Sequence, residues 1–226
     1  MESESDKIFL TLLNEVKNLC IDSVVSCKGN TKLFREAESI KEYLKAKDIY
    51  IVFDSDNQKR ETKVQEIKKQ LQENPEEEYR LNDEEFNQIK IFLLPENDES
   101  QHNHKYCELE HLLEKMAKES KNKAFYTSFR QRYDTLFDEI FEETNQNQIP
   151  IRREQKKKKK KRAKCWLHPY ITLSICLKRG FIPCGMDDLD PTDATAKIAE
   201  QRNTEILKKL FNFDLKKLQA LIDFLR

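Results

Sequence analysis

Glycine is scarce in this chain, three residues in 226, which argues against a glycine-rich phosphate loop of the P-loop or dinucleotide type. No apolar run approaches the roughly 20 residues that span a bilayer. The opening MESESDKIFL is acidic where a secretory leader is basic, so a soluble, cytoplasmic protein is expected. The six cysteines (Cys20, Cys27, Cys107, Cys165, Cys176 and Cys184) never fall in C-x-x-C spacing. In a chain of this size that pattern fits reduced thiols acting as small core residues better than a disulfide framework. Neither a G-x-S-x-G elbow nor a catalytic cysteine signature is present.

Charge, by contrast, is abundant and uneven. Charged residues make up 36% of the chain against 38% hydrophobic, so the core must be economical. Lys plus Arg and Asp plus Glu both number 41, yet residues 151–164, IRREQKKKKKKRAK, hold ten basic side chains and one acidic. Elsewhere 31 basic residues face 40 acidic ones, so an acidic body carries one strongly positive segment.

Hydrophobic periodicity divides the first half into alternating elements. DKIFLTLLNEVKNL spaces Ile8, Leu12, Leu13, Val16 and Leu19 as one face of a helix over about 6–19, with Ser5 or Asp6 as its N-cap. IDSVVSC reads as a short strand and KGN as a turn. A second helix buries Leu33, Ala37, Ile40 and Leu44. DIYIVF and IKIFLLP are near-continuous apolar runs, the pattern of strands buried on both faces of a parallel sheet. Between them lie a helix with Val64, Ile67 and Leu71 inward and a polar loop, PEEEYRLNDEEFNQ. ELEHLLEKM opens a further helix. This order predicts an α/β fold, a parallel sheet flanked by helices, over residues 1–120. From residue 121 to 226 a helical C-terminal region is expected: an aromatic-rich helix, the basic segment 152–164, the apolar CWLHPYITLSICL and a closing amphipathic helix, DLKKLQALIDFL. No internal repeat is visible.

The acids sit where such a fold gathers ligands, at the carboxyl ends of parallel strands. Asp54 and Asp56 follow IYIVF directly. In extended backbone, side chains two apart point the same way, and two carboxylates about 4 Å apart repel by roughly 4 kcal/mol at an effective dielectric near 20. A divalent ion between them offsets that repulsion, and oxygen-only ligands favour Mg²⁺ or Mn²⁺. The same residues also suit an Asx-turn. Two other strand-to-helix junctions carry acids: Glu108 and Glu110, with Glu96, Asp98 and Glu99 before them, and Glu2 with Glu4 ahead of the first helix.

On these residues the chain resembles Toprim domains, and more closely the small bacterial Toprim-like proteins related to the overcoming-lysogenization-defect nucleases. ESESDKIFL is similar to their opening E-G-x-S-D-x-x-F-L, SCKGNTKL to a glycine turn, VFDSD to the D-x-D pair, FLLPEND…ELEHLL to a P-x-N loop ending in L-E, and FDLKKLQALIDFL to their closing helix. Ser3 stands where that pattern has glycine, and the family's strand ahead of the glutamate has no counterpart here. The resemblance implies a Rossmann-like sheet and a metal-dependent nuclease acting on DNA or RNA. It carries over Glu2, Asp54, Asp56 and Glu110 as Mg²⁺ or Mn²⁺ ligands or acid/base groups. It also implies an effector role in antiviral defence beside an ATPase partner. The competing expectation is a non-catalytic module of the same fold that docks on such a partner.

His102, His104, Cys107 and His111 are zinc-ligand types, but their spacing matches no common zinc module. His168, before a proline in an apolar stretch, reads as a satisfied buried or interfacial histidine rather than a catalytic base, and Trp166 and Tyr170 near it read as core residues. The run Lys156, Lys157, Lys158, Lys159, Lys160, Lys161 and Arg162 lacks the interleaved aromatics of a base-stacking platform. Its open readings are phosphate contact with nucleic acid, docking of an acidic partner, and a solvated linker.

Overall fold

The structure is a computed structural model that describes residues 4–56, 58–94, 109–145, 166–167, 169–171, 173–174 and 205–226. The chain divides into two compact units, Met1–Leu112 with Asp214–Arg226, and Leu113–Phe213.

The first unit is built on two strands, β1 (Tyr50–Asp54) and β2 (Lys90–Leu94), paired in parallel with Tyr50 opposite Lys90 and Asp54 opposite Leu94. Among the described residues these form the whole sheet, and most of the remaining regular structure is helical. A mixed α/β fold with a small parallel sheet is therefore what the sequence becomes. Helices α1 (Glu4–Lys17), α2 (Ala37–Tyr43), α3 (Arg60–Gln72) and α4 (Asp83–Asn87) belong to this unit. So do the start of α5 (Leu109–Lys118) and a C-terminal helix, Gln219–Leu225.

Both faces of the strands are used, which is why their sequences run apolar without alternation. Ile51, Phe53, Ile91 and Leu93 share a core cluster with Ile40, Ile67, Leu71 and Phe86. Phe224, from the C-terminal helix, meets Phe92 and Tyr50 at ring distances of 5.3 and 5.4 Å. Fully burying side chains of this size contributes about 1.5–3 kcal/mol each.

Three expectations change. IDSVVSC forms no strand: Asn14 on α1 donates to the Ile21 carbonyl and accepts from its N–H, taking up the groups a neighbouring strand would use. PEEEYRLNDEEFNQ contains α4, begun by a capping box in which Asn82 and Glu85 each satisfy the other's backbone N–H. In α1, Leu12 and Leu13 are buried as expected, but Ile8 is exposed while Phe9 and Leu10 are buried.

In the second unit α6 spans Lys123–Asn145, and residues 205–210 are helical. Tyr126, Trp166 and Tyr170 are fully buried, with ring centroids 5.4–5.6 Å apart. Trp166 and Tyr170 are thus core residues, as expected. Burial pushes the Tyr170 hydroxyl up to about 12. Arg130 lies 5.6 Å over the Trp166 ring, a cation–π contact within the same cluster. No helix of the described residues is long and apolar enough to cross a membrane.

Candidate functional site

Where β1 ends, the backbone turns sharply. Asp54 is the last strand residue, Ser55 is fully buried and donates its N–H to the Leu94 carbonyl, and Asp56 adopts a left-handed φ of 50°. Aspartate is among the few non-glycine residues that take this conformation readily. The expectation that Asp54 and Asp56 point alike rested on extended backbone at both positions. The turn removes that premise at Asp56 and gives each carboxylate its own partners.

The Asp54 carboxylate accepts from the backbone N–H of Leu109 at 3.0 Å. Leu109 is the first residue of α5, so Asp54 satisfies one of the donors that a helix start leaves unpaired. The negative charge also lies at the favourable end of the helix dipole. This bond across 55 positions brings Glu110, half-buried in the first turn of α5, to the same end of the sheet. Asp56 instead receives the Lys63 ammonium at 2.6 Å and the Asn30 side-chain amide at 3.1 Å, both on one carboxylate oxygen.

Lys63 and Asn30 are the members of this site that the sequence reading missed. Lys63 shares the inner face of α3 with Ile67 and Leu71 at four-residue spacing, and its side chain is only 3% exposed. Val64, expected inward, is half-buried. The signal was there in the period: 63, 67 and 71 form a better stripe than 64, 67 and 71. Asn30 is delivered by the tight turn at Lys28–Gly29, where φ values of 59° and 140° call for glycine at the second position.

Among the described residues, no group of three or more His, Cys, Asp or Glu side chains stands together as a metal cage. Asp54, Asp56 and Glu110 share the end of the sheet through separate contacts. The donor chemistry still fits a hard cation, because the carboxylates supply only oxygen ligands and Asp56 already holds a cation, the Lys63 ammonium. His111 is buried on α5. Glu2, the basic run Lys156–Arg162, His168 and the other zinc-type residues, His102, His104 and Cys107, lie outside the described residues. In comparisons with known proteins, no family model, curated protein or solved structure matches the chain.

Proposed function

We propose that this chain is a divalent-metal-dependent nuclease that hydrolyses phosphodiester bonds in DNA or RNA. The observation that carries the reading is the hydrogen bond from Leu109 to Asp54, which joins the acids after β1 to the Glu110-bearing start of α5. Asp54, Asp56 and Glu110 would hold Mg²⁺ or Mn²⁺, joined by Glu2 on the strength of the family resemblance. When bound, such an ion polarises the scissile phosphate and makes water acidic enough to supply hydroxide.

The chain's own groups have definable tasks. The Leu109 N–H orients the Asp54 carboxylate, and Lys63 with Asn30 orients Asp56. Lys63 also brings positive charge to a sheet end otherwise dominated by acids, where it lowers the electrostatic cost of admitting a phosphate. The half-buried Glu110 is the candidate to take a proton from attacking water. Lys156–Arg162 would attract the polyanion without reading its sequence.

A second reading, a non-catalytic module docking on a partner such as an ATPase, draws on one specific observation. Both aspartates have satisfying partners within the chain and need no metal to be stable. Incubation with end-labelled DNA and RNA separates the two. The nuclease reading expects cleavage of one substrate in Mg²⁺ or Mn²⁺ and none in EDTA. Intact substrates in both metals, with the protein folded, would favour the docking module.

A further inference from the structure

We propose that Lys63 is a resident cation that takes the place of a second metal ion, so that the acids after β1 hold one divalent ion and not two. The inference rests on the nuclease reading above and settles how many ions that site takes. A lysine is almost never fully buried unless it is paired, and the Lys63 side chain is only 3% exposed. Its stem lies on the inner face of α3 in line with Ile67 and Leu71. A solvated lysine could swing away from an arriving ion, but this ammonium would have to leave a buried site to do so.

The contacts around the ammonium fix it in place. It meets Asp56 Oδ2 at 2.6 Å, and the Asn30 amide donates to the same oxygen at 3.1 Å. That oxygen is committed to donors of the chain. Asn30 is itself braced by Gln70, two turns beyond Lys63 on the same helix. The Gln70 side chain donates to the Asn30 carbonyl at 2.8 Å and accepts from the Leu33 N–H at 3.0 Å. Helix α3 therefore supplies both the ammonium and the brace for the second donor, and together they hold one positive charge at a fixed point beside the acids.

Charge then decides the count. Asp54, Asp56 and Glu110 bring three negative charges to this end of the sheet, and Lys63 returns one positive charge. One divalent ion neutralises the remainder. A second would leave an excess of two positive charges beside an ammonium that burial keeps from water. Paired metal ions stand about 3.5–4 Å apart, and an ion sharing Asp56 Oδ2 would have to displace Lys63 or Asn30. Lys63 is thus a positioning residue, which acts through Asp56 and is too buried to touch a phosphate.

The test counts Mn²⁺ ions on the full chain without substrate, by calorimetry and by electron paramagnetic resonance of frozen samples, which separates an isolated Mn²⁺ from a spin-coupled pair. Ions that survive in Asp54→Asn/Asp56→Asn are subtracted as surface binding. The wild type should hold one isolated ion. Lys63→Met should hold two, coupled to each other, and Lys63→Met/Asp56→Asn should return to one. Lys63→Gln, which removes the charge and keeps a donor for Asp56, is measured beside Lys63→Met and should also hold two. A coupled pair in the wild type would overturn this inference and leave the nuclease reading standing. A single ion in a folded, charge-removed variant would do the same, by making Lys63 a purely structural partner of Asp56. No site-specific ion in the wild type would overturn both. Should neither variant fold, the wild-type count decides alone.

Discussion

Asp54→Asn should lower cleavage by roughly 10³-fold, the equivalent of several kcal/mol of transition-state stabilisation lost with a metal ligand. Stability should move by less than about 1 kcal/mol, because the asparagine oxygen can still accept from the Leu109 N–H. That separation makes the variant informative. The substitution removes the charge a cation needs and leaves the cap that α5 needs. Cleavage assays beside urea denaturation read both quantities, and a large loss of stability would assign Asp54 to the fold alone. Undiminished cleavage would remove it from the metal site.

Lys63→Met should destabilise the protein by about 2 kcal/mol, below the roughly 3–5 kcal/mol for breaking a fully buried pair because Asp56 is partly open to solvent. The methionine keeps the apolar stem that packs beside Ile67 and Leu71, so the loss reports the charge. Lys63→Met combined with Asp56→Asn should recover most of that stability, since no uncompensated carboxylate is left. Mn²⁺ should raise the melting temperature of Lys63→Met more than that of the wild type, because a bound cation replaces the missing ammonium. An additive double variant, or equal effects of Mn²⁺ on both proteins, would show that the pair is structural decoration of the turn.

The elements with long, consistent patterns were legible in the sequence. Two apolar runs became β1 and β2, parallel as their lack of alternation implied, and the helical stripes at Leu33–Ala37–Ile40 and Ile67–Leu71 are buried. IDSVVSC failed because strand propensity is realised only against a partner, and the Asn14 side chain occupies Ile21 first. The acids at the strand end were visible as residues, while their partners were not. Leu109, Lys63 and Asn30 reach Asp54 and Asp56 across 55, 7 and 26 positions, and only Lys63 leaves a local trace, in the period of α3. The left-handed turn at Asp56 is likewise set by its surroundings and has no strict sequence signature among Asp, Ser and Asn.

A titration with Mn²⁺ by calorimetry, wild type beside Asp54→Asn/Asp56→Asn, tests the central claim most directly. The two carboxylates after β1 should give the wild type saturable binding that the double variant loses almost entirely, with both proteins folded by circular dichroism. Equal binding by the two proteins, or none by either, would contradict a cation site at this end of the sheet.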